Sequence, residues 1–285
     1  MSGAPMRLVG IFGDPVGHTR SPAMQNAAFR HLKLHYCYLP FAVPPAGLSR
    51  AVDAIRALDM AGVNVTIPHK ERVMAYVDEV SAEARLIGAV NTIVNRRGRL
   101  IGHNTDGRGF LLAWQHVSGR TLRGRSICLL GAGGAARAVA VSLIRAGVRR
   151  LVIANRTSSR GARLGRWLRR RLSGKSTEIS TIRLSDAALA RGAAGCDGLI
   201  NATAVGLRPG DARLVSRARL KQFSCVADLI YNPAETRLLA DARAAGCRTM
   251  NGLPMLAYQG ALAFTLWTGR RAPLNIMMRA IRAPR

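Results

Sequence analysis

The chain has 285 residues, with 43 Lys and Arg against 15 Asp and Glu, a formal net charge of +28 at pH 7. Hydrophobic residues make up 48% of it, enough for packed cores and too many for a disordered basic tail, and the length suits one large domain or two ordinary ones. The five cysteines, at 37, 128, 196, 225 and 247, are odd in number and include no CxxC pair, which argues against a disulfide framework or a structural zinc and fits a reducing cytosol.

The first residues, MSGAPMRLVGIFGDP, hold no apolar stretch long enough for a signal peptide, so a cytoplasmic location is expected. Leu8 to Phe12 reads as a strand, followed by a Gly/Pro loop, Gly13-Asp14-Pro15-Val16-Gly17-His18-Thr19-Arg20-Ser21-Pro22. Ser21 suits an N-cap and Pro22 the first helical position. The hydroxyls of Thr19 and Ser21, beside the free N–H groups of a helix start, form a small anion site that would take a carboxylate. Tyr36 to Phe41 reads as the next strand, Leu48 to Leu58 as a helix and Gly62 to Ile67 as a strand. Alternation on this scale predicts parallel sheet covered on both faces.

Asn64-Val65-Thr66-Ile67-Pro68-His69-Lys70 is a strand end and a Pro turn, placing Asn64, Thr66 and Lys70 near the C-terminal edge of a sheet, where open α/β folds bind ligands. Lys70 is one of four lysines in a chain that otherwise uses arginine. A lysine can yield its proton once its pKa is tuned, and an arginine cannot. Ala89-Val90-Asn91-Thr92 and Gly102-His103-Asn104-Thr105-Asp106-Gly107 add an amide and a carboxylate.

A boundary is expected near Asp106, with Gly107 to Val117 as a connecting helix. Charge changes there: residues 1–106 carry 12 basic and 8 acidic groups, residues 107–254 carry 26 and 7. Any anionic partner is therefore sought first in the second stretch. Ile127 to Leu130 reads as a strand running into Gly131-Ala132-Gly133-Gly134-Ala135-Ala136-Arg137 and an apolar helix from Ala138 to Ala146. This is G-x-G-x-x-A in strand–loop–helix context, which brings bare backbone N–H groups to a pyrophosphate. The next strand, Leu151 to Ala154, ends in Asn155-Arg156-Thr157-Ser158-Ser159-Arg160. An NAD site would place an acid here; two arginines suit the 2′-phosphate of NADP instead.

Beyond lie Arg163, Arg166, Arg169, Arg170, Arg171 and Lys175, with Trp167 among them. They read either as a solvated helix face or as a nucleic-acid surface with a stacking aromatic, and their field could also steer an anionic cofactor. Leu199 to Ala202 and Val226 to Ile230 repeat the strand pattern. From about Asn251 two apolar helical stretches follow that could pack with either half. Met255 to Trp267 is the most apolar stretch, yet Gln259 and Gly260 interrupt it and it is too short to span a membrane.

Nine segments in order, GDPVGHTRSP, GVNVTIPHK, GAVNT, GHNTDG, GAGGAARA, NRTSSR, NATAVGL, DLIYNPAET and GLPMLAYQGALAF, resemble the shikimate dehydrogenase family over nearly the whole chain. The resemblance implies a two-domain α/β protein with a cleft between an N-terminal substrate domain (1–106) and a Rossmann-type NADP domain (107–250), the helices of 251–285 returning to the first. It implies reversible NADPH-dependent reduction of 3-dehydroshikimate to shikimate, a step toward aromatic amino acids, by a monomer or homodimer without nucleic-acid, membrane or metal partners. By motif position, Thr19, Ser21, Thr66, Asn91, Asp106, Tyr231 and Gln259 would contact substrate. Lys70 and Asp106 would be the catalytic pair. Gly131, Ala132, Gly133, Gly134, Ala135, Asn155, Arg156, Thr157, Arg160, Gly252 and Met255 would fall on the cofactor side.

Ketone reduction needs a hydride on carbon and a proton on oxygen; Lys70 is assigned the proton, and Asp106 orients the ring hydroxyls. His18, His69 and His103 lie near these motifs and are read as structural. Three positions depart from the family pattern: Thr19 for Ser, which narrows the carboxylate site and resembles relatives that also take quinate; Gln25 for His; and Pro254 for Gly, which stiffens the nicotinamide side. A quinate/shikimate dehydrogenase and, from another class, a non-catalytic basic regulator or nucleic-acid binder are the alternatives.

Overall fold

The computed structural model describes residues 5–174 and 176–283; Lys175 of the basic run lies outside the described residues. The chain divides into two compact units, one formed by the chain to Gly109 together with the segment from Leu256, the other by Phe110–Met255.

In the first unit, β1 (Arg7–Gly13), α1 (Ser21–His31), β2 (Tyr36–Ala42), α2 (Leu48–Ala57) and β3 (Gly62–Val65) form the expected alternation. They are followed by β4 (Glu79–Val80), α3 (Ala82–Ile87), β5 (Thr92–Arg96) and β6 (Arg99–His103). The sheet order is β2-β1-β3-β5-β6-β4. The expectation of uniformly parallel sheet fails here: β5 runs antiparallel to both β3 and β6. β5 and β6 are joined by a two-residue hairpin turn at Arg97 and Gly98, both with positive φ (56° and 88°). Its right-handed twist matches the strands it joins, and Gly98 N–H donates to Asn95 Oδ1 at 2.7 Å. Nothing in Asn-Arg-Arg-Gly-Arg has the apolar look of a strand.

One face of this sheet packs Phe12, Leu48, Val52, Ile55, Val63 and Ile93. Each such buried side chain contributes about 1.5–3 kcal/mol. The C-terminal helices also belong to this unit. Phe264 stacks on Phe29 with ring centroids 5.1 Å apart, and Trp267 Nε1 donates to Ile93 O at 3.0 Å. A side chain at Gly62 would overlap both Ile93 O and the Trp267 indole, so only glycine fits there.

α4 (Asp106–Ser118) leads into the second unit. There β7 (Ser126–Leu130), α5 (Gly134–Arg145), β8 (Arg150–Asn155), α6 (Ser158–Arg171), β9 (Glu178–Arg183), α7 (Asp186–Gly192) and β10 (Gly198–Asn201) are followed by α8 (Arg217–Leu220), β11 (Cys225–Asp228), α9 (Arg237–Ala244) and β12 (Arg248–Met250). The sheet is wholly parallel in the order β12-β11-β10-β7-β8-β9. This is the doubly wound order of dinucleotide-binding folds, with its switch point between β7 and β10. Two further helices, α10 (Gly252–Thr268) and α11 (Leu274–Arg282), end the chain. No helix among the described residues is long and apolar enough to cross a membrane.

Candidate functional site

In the first unit the turn after β3 is held by the backbone: Thr66 N–H donates to Phe12 O and His69 N–H to Thr66 O, each at 2.9 Å. Lys70 follows, its carbonyl accepting from Val90 N–H at 2.8 Å. Its ammonium donates to Asp106 Oδ2 at 2.7 Å. Asp106 is the first residue of α4, where the helix dipole favours a carboxylate, and its own N–H donates to Asn104 Oδ1 at 3.1 Å.

Asn91 braces the pair. Its Nδ2 donates to Asp106 Oδ1 at 2.8 Å and to Thr105 Oγ1 at 2.9 Å. Its Oδ1 accepts from Thr105 N–H at 2.8 Å and from Thr92 Oγ1 at 3.0 Å. Donors on one side and acceptors on the other leave the amide one orientation. Gln259 is held by Nε2 donating to Leu256 O at 2.9 Å, and its Oε1 lies 3.5 Å from Thr105 Oγ1. Lys70, Asp106, Asn91 and Gln259 therefore share one polar cluster, with Thr66 on the adjoining turn.

This cluster extends to the loop before α1. Asn64 Nδ2 donates to Thr92 Oγ1 at 3.0 Å and Asn91 O at 3.2 Å, so its Oδ1 must face the other way, where it accepts from Tyr38 Oη at 2.9 Å. Tyr38 is fully buried and also bonded to the Ser21 side chain; burial pushes its hydroxyl far above the usual tyrosine range, against the smaller opposing effect of the Ser21 bond. A file of hydrogen bonds thus runs from Tyr38 through Asn64, Thr92 and Asn91 to Asp106, with the Ser21 hydroxyl beside Tyr38. Sequence reading placed Asn64 at the sheet edge but missed Tyr38, Thr92 and Thr105. A tyrosine inside an apolar strand gives no signal beyond packing. Tyr38→Phe keeps the ring and strands the Asn64 acceptor; it is expected to cost about 1–3 kcal/mol in a urea melt. A loss of only a few tenths would deny the file a structural part.

Ser21 is not the N-cap of α1. The helix begins at Ser21 itself, and Arg20, the cap residue, makes no side-chain cap bond. Thr19 Oγ1 accepts from Ser21 N–H at 3.2 Å instead. The two hydroxyls thus lie at a helix start, a place that suits an anion. Gln25 is buried and donates through Nε2 to Gly260 O at 3.0 Å, tying α1 to α10. Pro254 sits in the first turn of α10, where its missing N–H costs no helical bond.

The three histidines differ. His69 is buried with Nε2 2.6 Å from Val43 O, a structural tie. Burial, reinforced by Arg96, holds His103 below the ordinary histidine range, so it stays neutral near pH 7. His18 lies exposed on the loop.

In the second unit, Gly131 has φ +110°, and a Cβ there would press on Ala202 O and Thr203 at 3.0–3.1 Å. Gly133 caps α5 with no side-chain bond, and open space surrounds the place of its absent Cβ. The loop borders a groove of about 710 Å³ that Asn155, Arg156, Thr157 and Arg160 also line. Gly134 and Ala135 open α5 and are exposed. Asn155 Nδ2 donates to Thr157 O at 2.8 Å, fixing the turn that presents the two arginines. Both guanidinium groups are exposed and have no acidic partner among the described residues. Asp186 also lines the groove, where its Oδ1 accepts from Ser216 N–H at 3.1 Å. A dinucleotide phosphate fits this bare-backbone cradle, and the arginines fit a 2′-phosphate.

Asp228, unanticipated in sequence, ties the neighbouring loops. It is completely buried and accepts from Asn201 Nδ2 (3.0 Å), Thr236 Oγ1 (2.7 Å) and Ile230 N–H (3.1 Å). Burial raises its carboxyl above the usual range, while those bonds oppose the rise. Tyr231, Gly252 and Met255 also lie in this unit: Tyr231 after β11, Gly252 buried at the start of α10, and Met255 half-buried in its first turn. A Cβ on Gly252 would overlap Leu229 O.

The arginine run falls on α6, whose buried face is Gly161, Leu164, Gly165 and Leu168. The arginines of the run face solvent. Trp167 has the guanidinium groups of Arg137 and Arg171 each 5.6 Å from its ring centre, so its ring is engaged within the chain.

Comparison with known proteins bears on both units. The family model described as shikimate dehydrogenase substrate binding domain matches residues 11–93. Those described as shikimate/quinate 5-dehydrogenase and shikimate 5′-dehydrogenase C-terminal domain match 112–205 and 252–282. A shikimate dehydrogenase (NADP(+)) of Symbiobacterium thermophilum is 48% identical over 98% of this chain and 95% of its own. The Methanopyrus kandleri enzyme of the same name is 46% identical over 98% and 96%. The structure of Thermus thermophilus shikimate 5-dehydrogenase with NADP(H) and shikimate matches at TM-score 0.86 and 38% identity, covering 97% of this chain and 99% of that one.

Proposed function

The chain belongs to the shikimate dehydrogenase family, and from that premise we propose that it interconverts 3-dehydroshikimate and shikimate with NADP(H), using Lys70 and Asp106 as its reacting pair. The observation that carries this reading is the Lys70–Asp106 contact of 2.7 Å, braced by Asn91 on the other carboxylate oxygen.

Bound NADPH supplies the hydride. Lys70 exchanges the proton with the reacting oxygen: it gives one as the carbonyl becomes an alkoxide and takes one back in the oxidation. Asp106 keeps the lysine ammonium in place and accepts from a ring hydroxyl of the substrate. Asn91 holds Asp106, and it reaches the same ring by exchanging the N–H now spent on Thr105 Oγ1 for a substrate hydroxyl. Thr66 and Gln259 supply further hydrogen bonds from the turn after β3 and from α10, and Tyr231 contacts the substrate as well. Thr19 and Ser21 take the carboxylate. On the cofactor side, the loop from Gly131 to Ala135 receives the pyrophosphate, Asn155 to Arg160 the 2′-phosphoribose, and Gly252 with Met255 the nicotinamide end.

The test is a matrix of steady-state constants for shikimate and quinate, each with NADP and NAD. Shikimate with NADP is expected to give the highest kcat/KM. Quinate with NAD in that place would overturn both the substrate and the cofactor assignments, and Thr19 would then be the first residue to revert to Ser.

A further inference from the structure

We propose that Arg20 is a positioning residue for the substrate carboxylate, acting by pinning the Thr19–Ser21 loop to the C-terminal end of α11. This rests on the reading of Thr19 and Ser21 as the carboxylate ligands. An arginine between two such hydroxyls would be expected to turn toward the anion. Here it turns away: Nη1 donates to Ile281 O and, at 3.3 Å, to Ala283 O.

Those oxygens are among the last carbonyls of α11, which lack partners inside the helix and carry the negative end of its dipole. A single guanidinium answers two of them, across 261 and 263 residues of sequence. The backbone of Arg20 is engaged as well, its carbonyl accepting from Met24 N–H at 3.2 Å as the cap of α1. One residue therefore meets both the start of α1 and the end of α11, two helices that also pack along each other. The loop ahead of it is mostly exposed, with Val16 as its buried anchor. Asp14, Pro15, Gly17 and His18 are exposed. Its backbone ties are Asp14 N–H to Ile67 O at 3.1 Å and Thr19 N–H to Val16 O at 3.3 Å. Ser21 is itself buried in the first turn of α1 and bonded to Thr19, so loss of the tether would shift the two hydroxyls together with the helix start, and substrate binding would have to restore their placement.

Arg20→Ala in the full chain is expected to raise KM for shikimate about tenfold, with kcat within about threefold and KM for NADP within about twofold. Arg282→Pro displaces the Ile281 carbonyl from helical geometry without touching Arg20, and should raise the same constant. The double variant should be no worse than the poorer single one, since both cut one connection. Additive effects, or a fall in kcat alone, would overturn the proposal. So would a weaker ionic-strength dependence of KM for shikimate in Arg20→Ala, which would mean that the charge attracts the anion directly. Ser21→Ala separates the two layers: if it leaves KM for shikimate unchanged, the carboxylate reading fails; if it raises KM while Arg20→Ala does not, the tether alone fails.

Discussion

Lys70→Ala should lower kcat by about 10²–10⁴-fold, the usual worth of a positioned acid/base group, while KM for NADP stays within about twofold. The removed ammonium is 2.7 Å from Asp106, so the variant also leaves that carboxylate without its counter-ion. Lys70→Arg separates the two losses. It keeps a positive charge and an ion pair with Asp106 but cannot release a proton near neutral pH. Proton exchange as the role of Lys70 predicts that turnover in the arginine variant is nearly as low as with alanine. Turnover restored by arginine would make Lys70 an electrostatic anchor only, and unchanged turnover in the alanine variant would remove it from the mechanism.

Arg156→Asp is expected to reverse the cofactor preference. A charge-assisted bond to a phosphate is worth about 1.5–3 kcal/mol, so kcat/KM for NADP should fall by about 10²-fold once repulsion from the new carboxylate is added. The constant for NAD should hold or improve, because an acid at this place can accept from a 2′-hydroxyl. Both Arg156 and Arg160 are exposed, so the NADP advantage of the unaltered chain should shrink as ionic strength rises. Equal losses with NADP and NAD, measured side by side, would sink the 2′-phosphate assignment and return Arg156 to the general arginine excess.

Much of the second unit was legible because its signals are local. The strand, glycine loop and helix around Gly131 are consecutive in sequence, and the arginines follow directly after the next strand. In the first unit, legibility stopped where geometry depends on distant partners. The hairpin turn at Arg97 and Gly98 lies in a polar, charged stretch, and although Thr92, Ile93 and Val94 have the composition of a strand, their antiparallel direction against β3 is set by pairing and not by composition. Ser21 had the residue type of an N-cap, yet α1 starts at Ser21 because Arg20 takes the cap position while its side chain is bound to α11. Lys70, Asp106 and Asn91 could be named from motifs, but the bracing of Asp106 by Asn91 could not. Asn91 stands 15 residues from Asp106, and Tyr38 reaches Asn64 across 26. Asp228 escaped notice for a like reason: a lone acid closing a strand has no pattern until Asn201 and Thr236 converge on it.

The first unit is assembled from both ends of the chain, and this bears on the order in which the protein can fold as it is made. A ribosome releases the strands up to β6 first, yet Phe29 and Ile93 then still await Phe264 and Trp267, the latter emerging 174 residues after Ile93. The Phe110–Met255 unit, by contrast, has every strand of its sheet in hand before Leu256 is translated. The part made second is thus the first able to finish, while the part made first carries open apolar surface through most of synthesis. That interval is when a chaperone has most to protect.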